Sequence, residues 1–323
     1  MSLNSWGGAP FALLLAGPLL LTGCFQSPLP PILTLGEAHR KFVETCKKEY
    51  HLDVVLKPLE HTLWVYLPTE HPIIDYKAAK ENAGLPKTTP AFSVNSLDGH
   101  FDSKAFHFDY DISRGAPSAD RNGVSTFYSD EYQQQQNNLM LALFRTYSDL
   151  ETVPGDVEFA DGAKDSTHKT LVKNYVKTDN PPDFVEIVVA DIKKGIETTY
   201  IFHFQDLRLT MTGAMPQEEF AKRSISELRG KESIVGDREG KHLEYQEIQW
   251  PEFLTKQILN RIRFKYQASD FKPDDDAETQ IMSLIAETTR YYHFTDFKSI
   301  ELHNLRSDTY YHFDRSQLET FAK

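Results

Sequence analysis

Cysteine is nearly missing from this chain: Cys24 and Cys46 are the only two in 323 residues. Two cysteines cannot build a disulfide framework, so the fold has to be held by its apolar core. Positive charge is also scarce, with 35 Lys and Arg against 47 Asp and Glu and a formal net charge of -12. So acidic a chain repels a phosphate backbone, and no nucleic acid partner is expected. Also absent are the His-Glu-x-x-His, phosphate-loop, Gly-x-Ser-x-Gly and dinucleotide fingerprints, so motifs imply neither a cofactor nor a catalytic centre. Apolar material is ample, at 40% of residues with 12% aromatic, which argues for globular units with buried cores rather than disorder.

One apolar run stands out. Phe11 to Leu21 is interrupted by Pro18 and ends at Leu21-Thr22-Gly23-Cys24. It is too short to cross a bilayer as a mature helix and reads as a signal segment. Met1 to Pro10 lacks the Lys or Arg usual ahead of such a run, which points to a weak leader or a different start. Leu21-Thr22-Gly23-Cys24 resembles the lipobox of bacterial lipoproteins, a likeness that covers about the first 25 residues. The resemblance implies cleavage before Cys24, its lipidation (palmitate or a related acyl chain), and attachment to the lipid bilayer. Each buried methylene adds about 0.8 kcal/mol, so two or more chains suffice for lasting attachment. In that family an aspartate after the cysteine favours the inner membrane, and here the residue is Phe25. The resemblance therefore implies the periplasmic face of the outer membrane, or the outer face of the cell membrane in a host that has one. Cys46 then has no intramolecular partner and reads as a buried thiol; an uncleaved leader would instead permit a Cys24 to Cys46 disulfide.

The fold class expected is α+β, with amphipathic helices packed on antiparallel hairpins. The expected division is a signal peptide at 1–23, a lipidated cysteine and Pro-rich tether at 24–36, and three α+β units at 37–130, 131–243 and 244–323. Pro28, Pro30 and Pro31 make the tether an extended spacer. Thr34-Leu35-Gly36-Glu37 fits a capping box, and Ala38, Phe42, Cys46 and Tyr50 give the following helix an apolar face. Strands are expected at 52–56 and 63–67, then at 92–94 and 106–112 on either side of an Asp98-Gly99 turn. A helix over 131–150 and a short one over 166–176 precede strands at 184–192 and 197–212, which turn about Lys194-Gly195. A helix from Pro216 to Gly230, two more over 250–266 and 277–292, and a final hairpin at 297–302 and 309–313 complete the chain.

Glu131-Tyr132-Gln133 and Glu244-Tyr245-Gln246 lie 113 positions apart, and Thr199-Tyr200-Ile201-Phe202 lies 110 before Thr309-Tyr310-Tyr311-His312. This near-constant offset suggests two and a half tandem copies of a helix, helix, hairpin unit, although any chain of alternating helices and hairpins can align with itself by chance.

Four groups of residues invite a chemical reading. Strict alternation over 106–112 puts His107, Asp109 and Asp111 on one face, with His100 and Asp102 near, a set able to ligate zinc or a harder cation. The plainer reading is a solvated outer face. Trp64, Tyr66, Tyr200, Phe202 and Phe204 could line an apolar ligand groove between helix and sheet. Lys256, Arg261, Arg263 and Lys265 flank an apolar helical stripe, which suits anionic headgroups or a partner as well as it suits a core. Asp120-Arg121-Asn122-Gly123 lacks the middle ligands of a calcium loop, and Ser166-Thr167-His168-Lys169 lacks the companion motifs of a serine-lysine site. The leading expectation is a non-catalytic interaction or scaffolding module of the cell envelope with an envelope protein partner. The alternative is a carrier of a hydrophobic or anionic small ligand. An enzyme would rest on the His107 face alone.

Overall fold

A computed structural model describes residues 32–75, 92–115, 128–148, 177–178, 180–267, 271 and 276–321. The lipobox with Cys24, the stretch at 120–123 and the expected helix at 166–176 lie outside the described residues.

The first helix forms where its capping signal stands. Helix α1 (Leu35–Glu49) starts at Thr34, whose amide donates to Glu37 Oε2 at 2.9 Å while its hydroxyl accepts from the Glu37 amide at 3.4 Å. The two groups satisfy two otherwise orphaned donors. Its buried face carries Ala38, Phe42 and Cys46. Burial pushes the Cys46 thiol up to about 12, so the side chain is a packing group and not a nucleophile.

Strands β1 (Ile32–Leu33) and β6 (Lys177–Thr178) form a short parallel pair. Two larger sheets carry the architecture. In the first, β2 (Val55–Pro58), β3 (Thr62–Thr69), β7 (Phe184–Asp191), β8 (Ile196–His203) and β9 (Ile225–Gly230) lie in that spatial order. In the second, the order is β11 (Thr309–Asp314), β10 (Ser299–Asn304), β5 (Ala105–Arg114) and β4 (Phe92–Asp102). Within these two sheets all pairings are antiparallel except β3 with β7 and β5 with β10. The four-stranded sheet is thus two hairpins side by side with their inner strands parallel, and the five-stranded sheet is a hairpin beside a three-stranded meander joined in the same way. A parallel join needs a long crossover, and the chain supplies it by placing the hairpins of the two sheets alternately along the sequence.

Helices cover one face of each sheet. Leu63, Val65, Val185, Ile187 and Phe202 of the five-stranded sheet share a core with Phe42 of α1 and with Leu139, Leu143 and Tyr147 of α2 (Asp130–Tyr147). Phe106, Phe108, Tyr110, Ile300 and Leu302 of the four-stranded sheet pack on α5 (Trp250–Gln267) and α6 (Ala277–Tyr291). The protein is therefore α+β. Strand β7 is buried along its whole length, which is why it reads as an almost unbroken apolar run.

Three expectations give way to tertiary structure. Asp98-Gly99 is not a turn: β4 runs through it and the hairpin turns at Ser103-Lys104, both with positive φ (50° and 65°). Glycine is needed at 99 for room, because a Cβ there would lie 2.7 Å from the Phe108 ring. Strand β8 stops at His203, and Phe204–Met211 is a helix (α3) that buries Phe204, Asp206 and Leu207. The helix that begins after Pro216 (α4, Gln217–Arg223) ends where the Ser224 hydroxyl donates to the Phe220 carbonyl at 2.8 Å. Ile225 then enters β9 opposite Ile201 of β8, where it is buried. Of the two matching motifs, Glu131-Tyr132-Gln133 lies inside α2 and Glu244-Tyr245-Gln246 in an irregular segment ahead of α5, so the two do not occupy equivalent places.

Candidate functional site

The face of the five-stranded sheet turned away from α1 and α2 is roofed by residues 231–249, which have almost no regular structure. Such a segment must find partners for its own polar groups, and it finds them in the sheet. Trp64 Nε1 donates to the Gln246 carbonyl at 2.9 Å, and the Tyr66 hydroxyl donates to the Asp237 carbonyl at 2.5 Å. The Ile248 amide donates to Thr62 Oγ1 at 2.9 Å, while Glu247 accepts from the His61 amide at 2.7 Å. Trp64 also meets the Tyr245 ring edge-on at 5.2 Å.

One charged cluster ties roof to floor. His242 Nδ1 lies 2.6 Å from Asp237 Oδ2 in the roof, and its Nε2 lies 2.7 Å from Glu197 Oε2 on β8. The His242 and Glu197 side chains are only 5% and 3% exposed. Burial pushes the Asp237 carboxyl up, but hydrogen bonds from the His242 ring and from the His242 and Glu239 amides outweigh it and hold the group well below the usual carboxylate range. Both ring nitrogens are therefore engaged by carboxylate oxygens, one from the roof and one from the sheet. The cluster is a clamp.

Beside the clamp is a cleft of about 300 Å³ bounded by β7, β8, β9, the roof and the start of α5. Glu186 stands in its wall, between Trp64 on β3 and Ile201 on β8 in register. The residue is 7% exposed, and burial pushes its carboxyl up to about 8, with Lys256 drawing it down and Glu227 adding to the rise. Most other charges of the lining are already matched: Lys256 with Glu252 at 2.9 Å, Arg229 with Glu227, and Glu197 with His242. Glu186 has no ion-pair partner among the described residues. It is the one buried acid of the cleft without a fixed counter-charge.

No family model, curated protein or solved structure matches the chain. The site must be read from its own chemistry. Among the described residues no helix is long and apolar enough to cross a membrane.

The residues singled out from sequence are distributed as follows. Trp64 and Tyr66 lie on the roofed face, whereas Tyr200, Phe202 and Phe204 belong to the core against the helices. The five do not share a groove, because alternate strand residues point to opposite faces. The apolar stripe of α5, Leu254, Ile258, Leu259, Ile262 and Tyr266, is buried in the second core. Its basic residues are engaged separately: Arg261 with Glu287 at 3.0 Å, Arg263 with the Leu97 carbonyl at 3.2 Å, Lys265 over the Phe271 ring, and Lys256 at the cleft. His107, Asp109 and Asp111 are all on the outer side of β5, but the groups that converge with His107 are His100 and Asp102, while Asp109 lies 3.3 Å from His303. Sequence reasoning passed over Glu186, Glu197, Asp237 and His242. Only Glu186 carried a local signal, as a lone carboxylate in the apolar run Phe184 to Ala190.

Proposed function

We propose that the protein is a lipid-anchored binding protein of the bacterial envelope that takes a small ligand with a cationic or strongly hydrogen-bond-donating group into the cleft over the five-stranded sheet. The anchor in this reading is acylated Cys24, on the periplasmic face of the outer membrane or on the outer face of a single membrane. One observation carries the ligand class: Glu186, buried in the cleft wall with no ion-pair partner among the described residues, the nearby Lys256 and Arg229 being paired with Glu252 and Glu227. A ligand cation against that carboxyl would offset the cost of its ionisation, so ligand and carboxylate each favour the other's charged state. The chemistry differs from the hydrophobic or anionic ligand of the alternative drawn from sequence, because the aromatic residues that suggested an apolar groove do not line one surface.

The test compares native and denatured masses of a Cys24→Ser form exported from the host and purified without detergent. A small-molecule increment seen only under native conditions, and lost in Cys24→Ser carrying Glu186→Gln, is the expected result. The Gln substitution copies the protonated carboxyl and leaves the packing in place. A bare chain mass in the parent would overturn the binding reading and bring forward a scaffolding role, for which crosslinking to an envelope protein in intact cells is the decisive measurement.

A further inference from the structure

The tight Ser103-Lys104 turn fixes the register of β4 on β5, so that His100 lies opposite His107 and Asp102 opposite the small Ala105. His100 and Asp102, two apart on one strand, point to the same outer face. The two imidazoles stack with centroids 4.6 Å apart and planes 7° from parallel. One ligand atom from each of His100, Asp102 and His107 can be chosen so that all lie within 4.8 Å of one another.

The register continues across the sheet. His107 is opposite Glu301 on β10, and Glu301 is opposite His312 on β11. Glu301 Oε2 lies 3.4 Å from His107 Nδ1, close enough to engage that nitrogen and leave Nε2 free as the ligand atom. Carboxylates hold metal-binding imidazoles in this way, fixing the tautomer and raising the basicity of the other nitrogen. The rows on either side add Asp98, Asp109 and Asp314 and contain no Lys or Arg, so the local field favours a cation.

We propose that the β4–β5 hairpin carries a surface site for a divalent first-row transition ion, Zn²⁺ in the first instance, with His100, Asp102 and His107 as ligands and Glu301 as a positioning residue. Two imidazoles and one carboxylate are a donor set of borderline softness, suited to Zn²⁺ or its neighbours and poorly suited to Ca²⁺ or Mg²⁺. Tetrahedral zinc with bonds of about 2.0–2.1 Å sets its ligand atoms about 3.4 Å apart, so on binding the two stacked imidazoles turn out of parallel to bring both lone pairs onto one ion. His100 and Asp102 are exposed and His107 half-buried, so the fourth position is open to solvent. An ion held there exchanges, which fits uptake or hand-over of metal at a membrane surface better than a structural role. The site is distinct from the cleft and does not depend on its ligand.

Calorimetric titration of the chelator-stripped Cys24→Ser protein with Zn²⁺, at a pH where free imidazole is neutral, tests this. One equivalent should bind. His107→Ala and His100→Ala should each weaken binding by at least about 10-fold, while His71→Ala, a histidine paired with Glu131 elsewhere, should not. Glu301→Gln should weaken it by about 10-fold and shift the visible absorption of bound Co²⁺, a readout that a purely structural change would not move. Unchanged far-ultraviolet dichroism shows that the variants fold, and if His100→Ala unfolds, His100→Gln replaces it. No binding by the parent at millimolar Zn²⁺, or equal binding by the parent and both histidine variants, would overturn the proposal.

Discussion

The imidazole of His242 bridges Asp237 and Glu197, with ring nitrogens 2.6 and 2.7 Å from the two carboxylates. Asp237 belongs to an irregular segment and Glu197 to a central strand, so this single side chain joins the roof of the cleft to its floor. Breaking a buried charged contact by removing one partner typically costs about 3–5 kcal/mol, because the remaining charges stay desolvated and unmatched. In His242→Ala two carboxylates would face each other without a bridge. Its urea midpoint should fall accordingly, and the amides of residues 237–248 should exchange faster while those of α1 and α2 keep their protection. Unaltered protection of 237–248 would mean that the hydrogen bonds of Trp64 and Tyr66 hold the roof without the clamp.

Glu186 makes the stability of the protein pH-dependent in a stated direction. Burial raises its carboxyl from 4.5 to about 8, so the folded state keeps a proton that the unfolded chain has released. The advantage is complete below about 4.5 and is lost as the pH rises through 8. A shift of that span corresponds to no more than about 5 kcal/mol. Glu186→Gln has no proton to lose there. Its melting temperature relative to the parent should therefore climb as the pH is raised from 5 to 9, and a flat difference across that range would show that the carboxyl is solvated.

Local sequence chemistry determines which parts of this architecture can be read in advance. Helix α1 is legible to the residue because Thr34 and Glu37 form its cap, and the hairpin of β7 and β8 because Gly195 takes the positive φ of 66° that its turn requires. The parallel union of β3 with β7 is set by packing between segments more than a hundred residues apart, and nothing in either segment encodes it. The same limit governs the sites. Alternation over 106–112 identifies an outward face with His107, but the choice of neighbours depends on register, and register depends on the turn. With Asp98-Gly99 as a turn His100 could not stand opposite His107; with Ser103-Lys104 it does. Glu186 is visible as a misplaced charge, whereas His242 has no periodicity around it and finds Glu197 only in three dimensions.

Gly99 supplies a packing prediction on the same hairpin. Alanine at this position would bring a methyl group against the Phe108 ring and about 3.0 Å from the His107 carbonyl. Phe108 is buried under α5 and cannot swing aside cheaply. Overpacking of this kind costs about 1–3 kcal/mol. Gly99→Ala should lower the melting temperature and, by shifting His107, weaken Zn²⁺ binding on the opposite face. If Gly99→Ala melts with the parent, β4 bends away from β5 at this point more readily than its hydrogen bonding suggests.

The contact between α1 and α2 predicts an asymmetry. Arg145 near the end of α2 grips Glu49 at the end of α1 with both arms, Nη1 to Oε2 at 2.7 Å and Nη2 to Oε1 at 3.1 Å, and Nη1 also donates to the Tyr50 hydroxyl at 3.0 Å. The arginine side chain is 4% exposed and the glutamate 38%. Removing the carboxylate strands a buried guanidinium whose Nε already lacks a partner, whereas removing the arginine leaves a carboxylate that water can reach. Glu49→Gln should therefore cost more, about 2–3 kcal/mol, than Arg145→Met, at about 1 kcal/mol. The double variant should lie close to Arg145→Met, since once the buried charge is gone its partner has little left to lose. Urea unfolding of the four proteins measures all three differences, and a larger loss for Arg145→Met would show that the aliphatic packing of the arginine stem, not its charge, holds the two helices together.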